Sequence, residues 1–255
     1  MPTPTNIIVP AYFPWWTDEG KQSYARLLKS AEHLAPTIGR TQLLVVINPN
    51  SGPVPVASDV YHKERLSFSM DLRMHKAVPI GYVSTKYGAR SVNDIKRDMD
   101  MYVQQTLVRG FFFDEASTDP ANYKQLVSMA QGVMCVLNFG VQVETVDPLP
   151  PNVFAITAET DYASFMDKPA AVNKNVLLHG VPSDVDLKAL FAHGSMTGLY
   201  GSQRALEPGV NVWGALPDFW EKLVDYIKKV NSPTRVPVKI TLNGVTWDGL
   251  VERQE

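Results

Sequence analysis

Eight short apolar segments recur along the chain, and most are followed by a polar or Gly/Pro-rich stretch and then by a helical pattern. These predicted strands are Asn6–Tyr12, Gln42–Asn48, Ala77–Ser84, Gly110–Asp114, Val133–Asn138, Val153–Thr157, Asn175–Gly180 and Gly198–Tyr200. Eight strand–helix units in 255 residues indicate a closed parallel barrel, which typically takes about 250 residues. An open doubly wound sheet is the alternative, but it usually carries a glycine-rich phosphate turn after its first strand, and this sequence has none. We therefore predict an α/β chain folded as a single (β/α)8 TIM-type barrel.

Helix starts are marked by capping residues. Ser91 and Asp119 are predicted N-caps, and Asp119 is followed by a proline, which suits the first helical position. Ser183 is predicted to cap a later helix, with Asp186 in its third position, and the last strong helix is predicted to begin near Pro217.

The C-terminal segment departs from the strand–helix alternation. Val236–Thr241 and Val245–Trp247 flank Asn243-Gly244, a pair typical of two-residue hairpin turns. We predict a barrel domain over residues 1–232 and a short C-terminal β-hairpin extension over residues 233–255.

The composition excludes several classes of partner. The net charge of −2 gives no electrostatic basis for binding nucleic acid or an anionic membrane, and no apolar stretch is long enough for insertion into a bilayer. Met1–Asn6 lacks the features of a signal peptide, so we expect a cytoplasmic protein, or one exported after removal of a signal or by another route.

The chain has a single cysteine, Cys135, which excludes an internal disulfide and a cysteine-ligated metal site. Because Cys135 lies in an apolar run, it is predicted to be a core residue. The oligomeric state stays open.

The segment Gly-Phe-Phe-Phe-Asp-Glu-Ala, residues 110–116, places two acids directly after a buried strand. Catalytic residues of TIM barrels lie at such carboxyl ends of strands, so Asp114 and Glu115 are candidate catalytic residues. The alternative is that one acid caps the next helix and the other is a solvated loop charge.

Aromatic, amide and imidazole side chains follow the other predicted strands, and this composition suits a carbohydrate ligand. The candidate substrate-binding residues are Tyr12, Asn48, Tyr82, Tyr87, Asn138, Tyr162, His179 and Trp213. Core packing remains the alternative for the rings, and a purely structural role remains the alternative for the histidine.

Glycoside hydrolysis needs two carboxyl groups, one protonated and one ionised. Glu159, near the end of the sixth predicted strand, is the natural partner of the acids after the fourth. Because Asp114 and Glu115 are sequence neighbours, their side chains would diverge on a regular strand, and both serve one site only if the chain turns there.

At these residues the chain resembles the spherulin-4-like proteins, a glycoside hydrolase family of fungi and bacteria. The segments that carry the resemblance are Val9–Tyr12, Asn48–Pro53, Gly81–Gly88, Gly110–Glu115, Glu159 with Tyr162, Leu216-Pro217 and Phe219-Trp220. The resemblance implies a barrel hydrolase that acts on a microbial exopolysaccharide rich in N-acetylgalactosamine, with catalytic carboxylates at Asp114, Glu115 and Glu159.

The leading hypothesis is an endo-acting glycosidase with Asp114 or Glu115 as general acid and Glu159 as nucleophile or base, or with a substrate N-acetyl group as internal nucleophile. A non-catalytic sugar-binding or structural protein of a surface or spore coat is the alternative. A third hypothesis is a metal-dependent hydrolase using Asp114, Glu115 and His179. A single histidine among acids on different strands is not a pattern typical of a metal site. We expect no metal and no cofactor.

Overall fold

Eight parallel strands close into a barrel in chain order in the computed structural model, which describes residues 6–35, 42–130, 132–168, 174–193, 196–232, 235–242 and 245–252. The barrel strands are β1 (Asn6–Pro10), β2 (Leu43–Ile47), β3 (Val78–Ser84), β4 (Gly110–Asp114), β5 (Met134–Asn138), β6 (Val153–Asp161), β7 (Lys174–His179) and β8 (Met196–Gly201). The helices are α1 (Asp18–Leu34), α2 (His62–Met74), α3 (Val92–Thr106), α4 (Pro120–Met129), α5 (Tyr162–Met166), α6 (Leu187–Ala192) and α7 (Trp220–Asn231). The predicted TIM-type barrel is confirmed.

The strands are apolar along their whole length because both of their faces are covered. Every residue of β1 and of β2 is buried, with one face toward the barrel interior and the other toward the helices. Cys135 is fully buried in β5, in agreement with its predicted place in the core.

Two of the three predicted capping residues lie at helix starts in the structure. The Ser91 hydroxyl accepts a hydrogen bond from the Asp94 amide at the start of α3, and Asp119 accepts one from the Ala121 amide at the start of α4. The prediction for Ser183 is wrong, because this residue lies in a turn closed by a bond from the Val185 amide to the Pro182 carbonyl, and Asp186 caps α6 instead.

Two other boundaries differ from the prediction. Helix α7 begins at Trp220 rather than near Pro217. Strand β6 continues to Asp161, four residues beyond its predicted end, because its polar second half pairs with β7 from Ala158 to Asp161. No helix lies between β5 and β6, where residues 139–152 are all described.

The C-terminal hairpin is also confirmed. Strands β9 (Arg235–Leu242) and β10 (Val245–Glu252) pair antiparallel, with Leu242 opposite Val245. The predicted Asn243-Gly244 turn lies outside the described residues. Across the described parts of the chain, no helix combines the length and apolar character needed to cross a membrane.

Candidate active site

The strand register brings several of the predicted site residues onto one inner surface of the barrel. In β3 and β4, Tyr82 pairs with Phe112 and Ser84 pairs with Asp114. The rings of Tyr82 and Phe112 stack with their centroids 6.2 Å apart, and Asp114 lies two residues further along β4, toward its carboxyl end. Paired residues of parallel strands share a face, as do residues two apart on one strand, so Tyr82, Phe112 and Asp114 lie together on the inner face of the barrel.

Asp114 is held by two donors, one on each carboxylate oxygen. The Tyr82 hydroxyl donates to Oδ2 at 2.7 Å, and Nδ2 of Asn138, at the end of β5, donates to Oδ1 at 2.7 Å. Burial raises the pKa of Asp114 above its ordinary value, while the hydrogen bonds from Tyr82 and Asn138 oppose that rise. The carboxylate is therefore desolvated and fixed in orientation.

The same Asn138 amide group also holds Glu159. Nδ2 of Asn138 donates to Oε2 of Glu159 at 2.7 Å. The pKa of Glu159 lies above its ordinary value because burial raises it first and the negative charge of Asp114 raises it further. The hydrogen bonds from Asn138 and Trp213 oppose this rise. Asn138 itself is buried, and its Oδ1 accepts a bond from the Gly140 amide at 3.2 Å, which fixes the side chain between the two acids.

A β-bulge in β6 turns Glu159 inward. Ile156 pairs with Asn138 on β5 and with Asn175 on β7, so its side chain lies on the same inner face of the barrel as theirs. The register then shifts, and Ala158 pairs with Val176, the residue directly after Asn175. This places the extra residue at Thr157 and moves Glu159 onto the same face as Ile156, whereas strict alternation would send it outward.

Glu115 joins the site because the chain turns at that residue. Its φ is 52°, in the left-handed region, so its side chain does not diverge from Asp114 as it would on a regular strand. The Ser84 hydroxyl donates to Oε2 of Glu115 at 2.7 Å. The backbone carbonyl of Glu115 accepts bonds from the Thr85 hydroxyl at 2.7 Å and the Tyr87 amide at 2.6 Å. These contacts hold a conformation that a non-glycine residue rarely adopts.

Strained backbone concentrates at the carboxyl end of the barrel. Six described non-glycine residues have a positive φ, and four of them lie in loops that follow β2, β3 and β4, at the carboxyl end of the barrel. The four are Ser51, Lys86, Tyr87 and Glu115. Such strain persists only where surrounding contacts enforce it, and it clusters at functional sites.

Aromatic side chains surround the carboxylates. Tyr12 is half-buried and meets the Tyr82 ring edge-on, with centroids 5.8 Å apart. Its pKa is raised by burial first and then by the charge of Asp114. Tyr87 is 54% exposed, and the charge of Glu115 adds to the desolvation that raises its pKa. A Cβ placed on Gly140 would lie 3.1 Å from the Tyr87 hydroxyl, so this ring reaches from the loop after β3 to the loop after β5.

The sequence matches one protein family over most of its length. Residues 6–227 match Spherulin4, the spherulation-specific family 4. The chain belongs to this family. It is 32% identical over 113 residues to Spherulin-4 of Physarum polycephalum, a match that spans 40% of this chain and 32% of that protein. The resemblance drawn from the sequence segments is thereby confirmed.

Solved structures with a similar fold are distant. A noncanonic maltogenic alpha-amylase, AmyB from Thermotoga neapolitana, is 11% identical, with a TM-score of 0.43 over 91% of this chain and 78% of its own. A Rubisco-like protein from Rhodopseudomonas palustris is 12% identical, with a TM-score of 0.42 over 88% of this chain and 63% of its own. Similarities this distant say nothing about function.

In this member of spherulation-specific family 4, seven of the predicted site residues form one connected group. They are Tyr12, Tyr82, Asp114, Glu115, Asn138, Glu159 and Trp213, linked by the hydrogen bonds, ring contact and charge interactions described above. Tyr87 lies at the edge of this group, where all three acids affect its pKa.

The other three predicted residues have no described contact with the acids. Oδ1 of Asn48 accepts a bond from the Gly52 amide within its own loop, and Tyr162 begins α5 and packs on the core. His179 ends β7, and among the described residues no partner satisfies its buried Nδ1. Nor do three or more His, Cys, Asp or Glu side chains within the described segments converge as metal ligands, so the metal-dependent reading gains no support.

Sequence reasoning missed Ser84 and Thr85 as site residues. Both hydroxyls lie at the end of β3, and they hold the side chain and the backbone of Glu115 respectively. Their position two and three residues after Tyr82, where β3 ends at the carboxyl face of the barrel, is the signal that identifies them.

Proposed function

We propose that this protein is a glycoside hydrolase that cleaves within a microbial exopolysaccharide containing N-acetylgalactosamine or galactosamine. The observation that carries the proposal is the single Asn138 amide group shared by two half-buried acids. Oδ1 of Asp114 and Oε2 of Glu159 each lie 2.7 Å from the same nitrogen, so these oxygens are no more than twice that distance apart. Paired acids of this kind are what hydrolysis of a glycosidic bond requires.

The surroundings of the two acids support different roles for them. Asp114 accepts a hydrogen bond on each oxygen, which stabilises its ionised form. The charge of Asp114 then favours a proton on Glu159. Glu159 is thus the proton donor to the leaving oxygen, and Asp114 stabilises the positive charge that develops on the sugar ring. This reverses the sequence-based assignment, in which Asp114 or Glu115 was the general acid and Glu159 the nucleophile or base.

Glu115 is the third acid of the proposed mechanism. Its bond from Ser84 and its enforced backbone turn fix its position next to Asp114. It accepts a proton from the attacking water, or orients the N-acetyl group of the substrate if that group is the internal nucleophile.

The proposal is tested with Glu159→Gln and Asp114→Asn on purified N-acetylgalactosamine-containing exopolysaccharide, with reducing ends and product masses as readouts. Both variants should lose at least about 100-fold in kcat. The control is Glu32→Gln, an exposed glutamate on α1, which should leave activity unchanged. Polymer cleavage near the wild-type rate by both variants would refute the proposed roles.

A substrate with a good leaving group separates the two roles. If Glu159 is the proton donor, Glu159→Gln should recover much of its rate on a nitrophenyl glycoside, because that leaving group needs little protonation, whereas Asp114→Asn should not. Glycan binding with no turnover, even at high protein concentration, would instead support the non-catalytic sugar-binding barrel.

A further inference from the structure

A second aromatic surface lies at the rim of the barrel, away from the carboxylates. Trp16, in the loop after β1, is 69% exposed, and its ring lies 6.0 Å from the Tyr61 ring, in the loop after β2, at an interplanar angle of 34°. The acids are carried by β4 and β6 with Asn138 on β5, and β1 lies opposite β5 in a closed barrel of eight strands. Trp16 adds little to the hydrophobic core, because most of its apolar surface is exposed to water.

The Trp16 side of this surface is held rigidly from below. The neighbouring Trp15 stacks on Tyr24 with ring centroids 3.6 Å apart, and the Tyr24 hydroxyl donates to the Phe13 carbonyl at 2.8 Å. On the other side of Trp16, Thr17 caps α1 by accepting a bond from the Gly20 amide at 3.1 Å. The loop that carries Trp16 is thus fixed at both ends.

A buried ion pair holds the Tyr61 side. Arg65 and Asp59 form a salt bridge in which both side chains are buried, and Nε of Arg65 donates to Oδ2 of Asp59 at 3.1 Å. The same aspartate accepts a bond from the Tyr61 amide at 3.1 Å. Both rings are therefore presented by pre-organised loops, which reduces the entropy lost on binding a ligand.

The rings line a cavity with polar groups beside them. Its volume is about 460 Å³, and Trp15, Lys21 and Glu64 complete its lining. A second cavity shares Trp15 and Glu64 and continues between α1 and α2. Apolar rings together with a few hydrogen-bonding groups are the surroundings that a pyranose needs, because its faces are apolar and its edge carries hydroxyls.

We propose that Trp16 and Tyr61 form a second carbohydrate-binding site, separate from the catalytic acids, that binds a distant sugar residue of the same polysaccharide chain. The choice of ligand rests on the proposed function. Lys21 and Glu64 bind the hydroxyls of the sugar, and the ring pair binds its apolar face. A polymer long enough to reach both sites gains affinity because its second contact is intramolecular, whereas a short oligosaccharide gains nothing.

The test compares Trp16→Ala and Tyr61→Ala with Met74→Ala, which alters an exposed apolar residue at the far end of α2. Binding of purified galactosamine-containing exopolysaccharide is measured by affinity electrophoresis in the Glu159→Gln background, so that hydrolysis does not consume the polymer. Each ring variant should weaken polymer binding by about tenfold, and Met74→Ala should not. In the otherwise wild-type protein, hydrolysis of a short nitrophenyl glycoside should not change in the ring variants.

Unchanged polymer binding by both ring variants would overturn the second site. So would the absence of any polymer binding by the parent, which would leave a protein partner as the occupant of the rings. If the ring variants also slowed hydrolysis of the short substrate, the rings would belong to the catalytic cleft and the separate site would be refuted. Because binding is measured without turnover, a wild-type protein that fails to cleave the polymer overturns the proposed function and leaves the binding comparison intact.

Discussion

Replacing Asn138 with alanine removes the one group that donates hydrogen bonds to both Asp114 and Glu159. The two carboxyl groups stay half-buried in the variant, and the Asn138 bonds that opposed the rise in their pKa values are gone. The pKa values of both acids should therefore rise further above their ordinary range.

The size of the effect follows from the two bonds. A hydrogen bond to a charged group contributes about 1.5–3 kcal/mol and one to a neutral group about 0.5–1.5 kcal/mol. With Asp114 ionised and Glu159 protonated near pH 7, as proposed above, Asn138→Ala should lower the free energy of unfolding by about 2–4.5 kcal/mol there, and by about 1–3 kcal/mol near pH 4, where both bonds go to neutral groups. A loss of the larger size is a substantial part of the total stability of a typical domain, which is about 5–15 kcal/mol.

The sign of the pH dependence is fixed by the direction of the pKa shifts. In both proteins the folded state holds its protons to a higher pH than the unfolded chain, so these acids lower stability as the pH rises above the unfolded pKa values of about 4. The shift is larger in Asn138→Ala, so the difference between variant and wild type should be small near pH 4 and should grow toward neutral pH.

Urea unfolding followed by tryptophan fluorescence at the two pH values measures this difference. The control is Asn6→Ala, which removes a buried asparagine on β1 whose Oδ1 accepts a hydrogen bond from a neutral donor, the Gln42 amide, at 3.1 Å. Its loss of stability should depend little on pH. The reasoning would be refuted if Asn138→Ala lost the same free energy at both pH values, or if the control showed the same dependence.

Three further predictions concern other parts of the molecule. Tyr82→Phe removes the hydroxyl bond to Asp114, so the acidic limb of the pH–rate profile should move to higher pH and kcat should fall by about 10- to 100-fold, as steady-state kinetics would measure. Leu107 ends α3 with a φ of 54°, so Leu107→Gly should raise the free energy of unfolding by about 0.5–1 kcal/mol in urea titrations. Burial raises the pKa of the Cys135 thiol to about 12, so a thiol reagent such as dithionitrobenzoate should label the unfolded but not the native protein at pH 8.

The barrel itself could be predicted because its strands are buried on both faces. An unbroken apolar run such as Gly110–Asp114 needs no tertiary information to be recognised, and its predicted bounds agree with the structure. Strand β6 is the contrast, since its second half, Ala158–Asp161, is mostly polar and resembles a loop in sequence. These residues are a strand because their backbone pairs with β7 and because polar side chains are tolerated where the strand reaches the mouth of the barrel.

The membership of the site was predictable from topology, but its geometry was not. Side chains that follow parallel strands in a closed barrel meet at one end, so Asp114, Asn138 and Glu159 were candidates before their distances were known. The convergence of the acids depends on two backbone details, the left-handed turn at Glu115 and the bulge at Thr157. Neither position carries a glycine, which is the residue that usually marks such conformations in a sequence.

The same two irregularities explain why three acids can share one small volume. A regular β4 would send Glu115 away from Asp114, and a regular β6 would turn Glu159 toward the helices, so an ideal barrel with this sequence would place one carboxylate in the mouth instead of three. The strain at Glu115 is held by the hydroxyls of Ser84 and Thr85 and by the Tyr87 amide. Contacts that hold an unfavourable conformation beside buried acids make folding harder, and they are expected where a chain is selected for chemistry as well as for stability.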